Sequence, residues 1–326
     1  MTTAIPMVEQ WRGPFLESVH HGHAVVCDDT GDIVHAWGDP SQLVLPRSSA
    51  KMIQALPLIE SGAAKNFSLT TQQLALSCAS HQGARLHVDH VNSWLKDLEL
   101  ADSDLRCGAQ TTRDVSYQAD MIRDDTPTCQ VHNNCSGKHA GFLTLTRHLG
   151  AGPEYLEIDH PLQIAIREAW ERVTEETIAG FGIDGCSAPN FVTTLHGVAR
   201  AMATFAASPT DAPAGRLTRA MALHPELVAG EGRACTNLMR AMDGKVTVKT
   251  GAEGFFIAII PEKKMGIALK IADGATRASE CALAAILVKL GVLQPDHLET
   301  RKYLNAPIAN WRGVHTGWQR AAPPLC

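Results

Sequence analysis

Residues 245–271 read KVTVKTGAEGFFIAIIPEKKMGIALKI. Three runs rich in β-branched, aliphatic and aromatic residues, 245–250, 254–260 and 266–271, are set off by a glycine-bearing turn and by the polar turn 261–264. Short apolar runs bounded by Gly, Pro and charge are strand signals. The last third of the chain therefore carries a strand unit whose second and third members form a hairpin. A matching signal lies near the start. His23–Asp28 (HAVVCD) and Asp32–Trp37 (DIVHAW) flank a Thr30-Gly31 turn and read as a β-hairpin.

Between these ends the periodicity is helical. After Pro46, the residues Ser49, Met52, Ile53, Leu56 and Ile59 recur at helical spacing, and Gly62 closes the pattern. Thr70 and Gln73 form a capping box ahead of Leu74–Leu76. Leu86, His90, Val91, Trp94, Leu95 and Leu98 mark a further amphipathic helix. Segments 137–149, 161–177, 192–207 and 216–223 continue the helical block, and Pro161 suits a first helical turn. Residues 278–291 read as a strongly apolar closing helix. Strands at both ends with helices between them predict an α+β fold. One antiparallel sheet is built from about 14–45 and 243–326, with a mostly helical lobe over about 46–242. Any clean cut orphans half of that sheet, so the expectation is a single domain, 1–326, of two lobes.

Composition narrows the function classes. The 326 residues are 45% hydrophobic and 19% charged, enough apolar material for a large core without staples. A net charge of −5 argues against a nucleic-acid or anionic-membrane surface protein. No apolar run approaches the ~20 residues of a membrane span, and the first thirteen residues have no signal-peptide pattern. Nine irregularly spaced cysteines suit reduced thiols in the cytoplasm rather than a disulfide frame.

Several familiar motifs fail. Ser136-Gly137-Lys138 resembles the tail of a phosphate loop, but His132 and His139 occupy positions that need Gly and Ser or Thr. No GxGxxG, GxSxG or HExxH pattern occurs. His20-His21-Gly22-His23, without paired cysteines, reads as a polar surface stretch and not as a metal site.

The chemistry gathers around Ser48-Ser49-Ala50-Lys51, at the opening of the first long helix. Residues three apart on a helix share a face, so the Ser48 hydroxyl and the Lys51 amine are placed to meet. A serine becomes nucleophilic when a neighbour removes its proton, and a neutral lysine can do so. Neutrality near pH 7 asks a shift of ~3 units of lysine, or about 4 kcal/mol, from burial or nearby positive charge. A serine cap followed by a solvated lysine is the competing reading of the pair. Two further features favour catalysis. Ser80 sits in the polar turn Ser77-Cys78-Ala79-Ser80-His81-Gln82-Gly83, and Lys249-Thr250-Gly251 lies on the first late strand. Ser-x-x-Lys, a mid-chain serine loop and Lys-Thr-Gly, in that order, match the set used by penicillin-recognising serine enzymes.

Five blocks together carry a wider resemblance: Arg47-Ser48-Ser49-Ala50-Lys51, Ser77-Cys78-Ala79-Ser80-His81, Asn134-Cys135-Ser136-Gly137-Lys138-His139-Ala140-Gly141, Asp184-Gly185-Cys186 and Lys249-Thr250-Gly251-Ala252-Glu253-Gly254. In this order they resemble the L-asparaginase II family of rhizobial type. These are cytoplasmic asparaginases of serine β-lactamase-like, penicillin-binding-protein-like fold, unrelated to the threonine-nucleophile asparaginases. The Ser-Asp-Asn element of secreted β-lactamases is absent and Ser80-His81-Gln82 stands in its place, which argues against β-lactam hydrolysis. The resemblance implies that Ser48 is the nucleophile and Lys51 its base. It makes Ser80 and Lys249 a second serine–lysine pair that relays protons and adds a second cation to the pocket. Attack on the side-chain amide of L-asparagine, an acyl-ester, ammonia release and hydrolysis to L-aspartate follow.

Cys135 and Lys138 straddle a helix start three residues apart, and Cys186 lies in a glycine-bearing loop. Two thiolates suit Zn²⁺, while a lysine ligates only as the neutral amine. Spacing alone leaves buried structural cysteines with an exposed lysine as the competing reading. The resemblance implies a Cys135–Lys138–Cys186 zinc site, expected to tune substrate binding and not to generate the nucleophile. A free amino acid also needs anchors: Arg47 and His139 are the candidates for its carboxylate and Asp184 for its ammonium. Cys235 reads as an ordinary buried cysteine and Glu253 as structural. A homodimer is implied by the family alone. The alternatives are a glutaminase or a penicillin-binding-protein-like peptidase or esterase, and a non-catalytic zinc-binding regulator on the same fold.

Overall fold

The computed structural model describes residues 3–325. The strands are β1 (Ile5–Arg12), β2 (Phe15–Cys27), β3 (Ile33–Trp37), β4 (Leu43–Val44), β5 (Gly180–Ile183), β6 (Pro189–Thr194), β7 (Thr247–Thr250), β8 (Phe255–Ile260), β9 (Met265–Ile271), β10 (Ala306–Ala309) and β11 (His315–Ala321). The helices are α1 (Lys51–Glu60), α2 (Ala63–Asn66), α3 (Thr71–Ser77), α4 (Arg85–Asp97), α5 (Val115–Arg123), α6 (Ser136–His148), α7 (Pro161–Thr174), α8 (Leu195–Ala207), α9 (Pro213–Leu223), α10 (Pro225–Val228), α11 (Ala234–Ala241) and α12 (Thr276–Lys289). Two compact units result. One holds the chain up to Ser49, Thr193–Ala207 and everything from Asn237 onward; the other holds Ala50–Val192 and Ser208–Thr236.

The first unit is the sheet. Its path runs β10-β11-β1-β2-β9-β8-β7, with β3 also paired to β2, and every pairing is antiparallel. Both chain ends contribute, because β2 from the start hydrogen-bonds β9 from the end with Val25 opposite Ala268. All six residues of β8, FFIAII, are buried. A strand buried on both faces reads as a continuous apolar run and not as an alternation. Helix α8 lies against β9, β2 and β8, and α12 against β8, β1, β9 and β11. At Gly266 the backbone of α8 reaches β9 so closely that a Cβ would stand 2.1 Å from the Ala203 nitrogen and 2.3 Å from the Ala199 oxygen. We expect Gly266→Ala to push α8 off the sheet and destabilise the protein by about 3 kcal/mol or more. Chemical denaturation monitored by circular dichroism checks this; a midpoint equal to the wild type would show that the contact yields freely.

The second unit is helical. Its centre is α1, in which every residue from Lys51 to Ile59 is buried. That helix is buried all round, with Lys51 and Gln54 as its buried polar side chains, and it packs on α7, α6, α9 and α3. The capping box of α3 is present: Thr70 Oγ1 accepts from the Gln73 amide and Gln73 Oε1 accepts from the Thr70 amide. Pro161 opens α7 as its first residue, after a cap in which His160 Nδ1 accepts the Leu162 amide.

Three expectations need correction. Val192–Thr194 is not helix but the end of β6, where Thr193 pairs with Val44 and Thr194 with Leu43; three successive β-branched residues favour the strand. Helix α8 belongs with the sheet unit and not with the helical one. The stretch His20-His21-Gly22-His23 is not a surface tract but part of β2, with His20 and His23 buried. His20 Nδ1 lies 2.6 Å from Asp273 Oδ2, and His23 Nδ1 accepts the Asp39 amide at 2.8 Å.

Candidate active site

Among the described residues the buried lysines are Lys51, Lys138 and Lys249, with relative exposures of 1%, 2% and 0%. Lysine is almost never fully buried unless its amine has a task or a partner. These are the same three lysines that the Ser48/Lys51 and Cys135/Lys138 spacings and the Lys249-Thr250-Gly251 motif single out.

In the sheet unit, Ser48 sits in a single 3-10 turn, Arg47–Ala50, directly ahead of α1. The helix itself begins at Lys51, so the serine stands on the tighter lead-in and not within the α-helix expected from periodicity. Arg47 takes φ 54°, a left-handed conformation rare outside glycine. The turn is closed by Ser49, whose amide and hydroxyl both donate to the Pro46 carbonyl, at 3.2 and 2.6 Å. The Lys249 strand ends against this turn. A Cβ on Gly251 would lie 2.6 Å from the Pro46 oxygen and 3.2 Å from the Ser49 nitrogen, so only glycine lets the two backbones meet. Lys249 Nζ donates to the Thr250 carbonyl at 2.7 Å.

In the helical unit, Lys51 projects from the first residue of α1. Its Nζ donates to the Ala79 carbonyl, and it lies 3.0 Å from Cys135 Sγ. The serine loop after α3 is pinned on both sides. The Ser80 amide donates to the Val228 carbonyl at 2.9 Å and the His81 amide to the Asn134 carbonyl at 3.1 Å. The Ser80 hydroxyl oxygen is buried and has no hydrogen-bond partner among the described residues. Lys51 therefore bonds the residue before a serine whose own hydroxyl is uncommitted. His81, Gln82 and Gly83 continue the loop, and His81 Nε2 faces Ser136 Oγ at 3.1 Å.

Cys135 precedes α6 and Lys138 and His139 lie in its first turn, while Cys186 follows β5. Lys138 Nζ stands 3.0 Å from Cys186 Sγ. Cys135 Sγ donates to Asn134 Oδ1 at 3.0 Å, and its interaction with Cys186 holds the Cys186 thiol well below its ordinary range while lifting that of Cys135 well above. Burial pushes the Lys138 amine down, but the two sulfurs and the Asp184 carboxylate outweigh it and the net shift is upward. Lys138 and the two sulfurs form a buried cluster. Two sulfurs and one nitrogen converge, a donor chemistry that suits a borderline-soft divalent ion. No group of three or more His, Cys, Asp or Glu side chains is placed to hold a metal among the described residues. The described cysteines are all free thiols.

Of the expected substrate anchors, His139 is buried with its pKa lowered to about 4, by desolvation first, which leaves it neutral. Asp184 stands at the turn after β5, where its Oδ1 accepts the Gly185 amide at 2.7 Å. The helical unit thus gathers Lys51, Ser80, Cys135, Lys138, His139, Asp184 and Cys186, while the sheet unit carries Arg47, Ser48 and Lys249. Sequence reasoning missed Tyr155. Its hydroxyl lies 2.8 Å from His139 Nδ1, a contact made by a loop sixteen residues on and signalled by no spacing. Cys235 is buried, as expected. Glu253 adopts φ 57° within its turn.

Comparison with known proteins gives one family match: the model described as L-asparaginase II matches residues 8–321. No curated relative matches. Among solved structures the chain is similar to a β-lactamase from Mycobacterium bovis, at 13% identity and TM-score 0.44, over 82% of this chain and 94% of that one. It is similar to Mglu in its native form at 12% identity and TM-score 0.47, over 85% and 66% of the two chains. It also resembles an octameric penicillin-binding protein homologue from Pyrococcus abyssi, at 13% identity and TM-score 0.37, over 90% and 80%. No helix among the described residues is long and apolar enough to cross a membrane.

Proposed function

The chain belongs to the L-asparaginase II family, and on that premise we propose that it hydrolyses L-asparagine to L-aspartate and ammonia through a serine acyl-enzyme. The observation that carries this reading is the burial of Lys51, Lys138 and Lys249, the first two within 3.0 Å of the Cys135 and Cys186 sulfurs. In the proposed course Ser48 Oγ attacks the side-chain amide carbon while its proton passes to Lys51. The tetrahedral intermediate collapses with cleavage of the C–N bond, and that proton leaves with the amine as ammonia. A water then attacks the Ser48 ester, gives its proton to the same base, and aspartate departs with Ser48 restored. Ser80 and Lys249 form the second pair, passing protons and holding positive charge near the developing oxyanion. Arg47 and His139 hold the substrate carboxylate, and Asp184 its ammonium.

Zn²⁺ is the metal this donor set suits, held by Cys135, Lys138 and Cys186. Bound there, it supplies a fixed positive charge that raises affinity for the amino acid. The residues then do the chemistry, because Ser48 and Lys51 already provide nucleophile and base. Protein purified without added metal is expected to carry about one zinc per chain, and Cys135→Ala to lose it, with a raised KM and a largely retained kcat. Metal analysis by mass spectrometry with parallel kinetics checks this; equal zinc in both proteins removes the site.

The direct test of the activity is ammonia release from asparagine, run beside glutamine and a chromogenic β-lactam. Turnover of asparagine alone or in excess supports the reading; β-lactam turnover without ammonia release replaces it with a penicillin-type hydrolase. The same reading makes the active species a cytoplasmic homodimer, and light scattering of the purified protein tests its mass.

A further inference from the structure

Ser80 Oγ has no hydrogen bond of its own among the described residues, so its place in the helical unit is set by the backbone that carries it. On the leading side the Lys51 amine holds the Ala79 carbonyl, and the Ser80 amide is tied to Val228. On the trailing side stands His81, a buried residue to which the proposed reaction gives no role. Its Nδ1 lies 3.1 Å from the Gly83 amide nitrogen and its Nε2 lies 3.1 Å from Ser136 Oγ. An amide N–H only donates, so Nδ1 accepts and Nε2–H donates to the serine oxygen. The Ser136 hydroxyl gives its own hydrogen to the Val131 carbonyl at 2.9 Å and keeps a lone pair for the ring. Both ring nitrogens and the hydroxyl are thereby satisfied. The ring face stacks on His87, with 4.7 Å between centroids and 11° between planes, and His87 Nε2 donates to the Glu226 carbonyl at 2.9 Å. Two segments, 226–228 and 131–136, thus grip the loop. Their close passage needs Gly83, where at φ 69° a Cβ would stand 2.6 Å from the His132 carbonyl oxygen.

We propose that His81 is a positioning residue for Ser80. Its Nδ1 closes the turn onto Gly83 and fixes the backbone leaving the serine, while its Nε2 ties that turn to Ser136, the residue that opens α6. Resting on the asparaginase reading, the step it serves is proton transfer through Ser80, which needs an otherwise untethered hydroxyl held in one place. A misplacement of about 1 Å at such a group can cost about 100-fold in rate. The two contacts are chemically separable. Asparagine carries an oxygen on the same γ carbon that bears Nδ1 in histidine, so it accepts the Gly83 amide in an Asx turn but does not reach Ser136. Ser136→Ala cuts the other contact and leaves the ring and its turn in place.

The test compares the wild type with His81→Ala, His81→Asn and Ser136→Ala as intact proteins, by amide hydrogen exchange of segment 78–84 and by steady-state ammonia release. In His81→Ala the segment is expected to exchange about tenfold faster, and kcat for asparagine to fall about 100-fold with KM changed less than about threefold. His81→Asn should restore protection at Gly83 and bring kcat back to within about tenfold of the wild type. Ser136→Ala should keep the Gly83 protection and lose about tenfold in kcat. A fold weakened in general would not give a kcat loss at constant KM together with recovery by asparagine. Exchange unchanged in His81→Ala overturns the clamp. Faster exchange with an unchanged kcat, a loss confined to KM, or an asparagine variant as slow as the alanine one overturns the role toward Ser80. Should His81→Ala fail to fold, Ser136→Ala decides, and wild-type exchange with wild-type kcat in that variant overturns the proposal. Absence of any turnover of asparagine by the wild type would instead sink the asparaginase reading and leave the exchange result standing.

Discussion

Replacing Ser48 with alanine is expected to lower ammonia release from asparagine by roughly 10⁴- to 10⁶-fold, the scale seen when a serine nucleophile is removed from a triad-type site. The fold should survive. Ser48 is partly exposed, and the turn that carries it is closed by Ser49 bonding to Pro46 and not by Ser48 itself. Thermal unfolding of Ser48→Ala should therefore fall within about 0.5 kcal/mol of the wild type, as for a surface substitution without special contacts. The companion variant Ser80→Ala separates the two serines. If Ser48 is the nucleophile, Ser80→Ala slows turnover but still forms an acyl adduct on Ser48, detectable by mass spectrometry of quenched enzyme. An active Ser48→Ala, or an adduct on Ser80 alone, would exchange their roles.

The readable part of the structure was that in which local chemistry and tertiary outcome agree. The Thr70/Gln73 box, Pro161 at a helix start and the apolar runs of β8 and β9 carry their signal in a few adjacent residues, and each element formed there. The terminal strands lack an apolar signal: β1 is irregularly buried and bulged against β2, β10 is four residues with none buried, and β11 alternates but buries Gly317, Gln319 and Ala321. The sequence IPMVEQWR offers no clean two-residue period. Residues 192–194 were hidden by the apolar helix that follows them. In the site, the spacings point to Lys51 and Lys138, but the sulfur each lysine meets lies on another segment, Cys135 for Lys51 and Cys186 for Lys138. What joins separate turns was not legible. The left-handed backbone of Arg47, the Lys51 bond to Ala79 and the Tyr155–His139 pair depend on how loops far apart in the chain pack together.

Lys51→Met is expected to part catalysis from stability. Lys51 is buried along its whole length, so its four-carbon stem fills core volume that an unbranched thioether can also fill. The change removes one nitrogen and with it the hydrogen bonds to the Ala79 carbonyl and Cys135 Sγ. Those acceptors lose a donor, at a cost of about 1–3 kcal/mol, while burying a hydrophobic stem in place of an amine gains a similar amount. Stability should then move by no more than about 2 kcal/mol in either direction. Turnover has no such offset. Without a base within reach the Ser48 hydroxyl keeps its proton, and a loss of roughly 10³- to 10⁵-fold in kcat follows. Lys51→Arg sharpens the test, because a guanidinium fills the site and donates to Ala79 yet cannot be deprotonated in a protein. If positive charge and packing were the contribution of Lys51, the arginine variant would recover activity; if proton transfer is, it stays as inactive as the methionine variant while both unfold as cooperative domains. Steady-state ammonia release paired with chemical denaturation measures both quantities on the same preparations. A Lys51→Met enzyme with wild-type kcat would move the base to another group, and Lys249, equally buried and carried on the strand that meets the Ser48 turn, would be the next to replace.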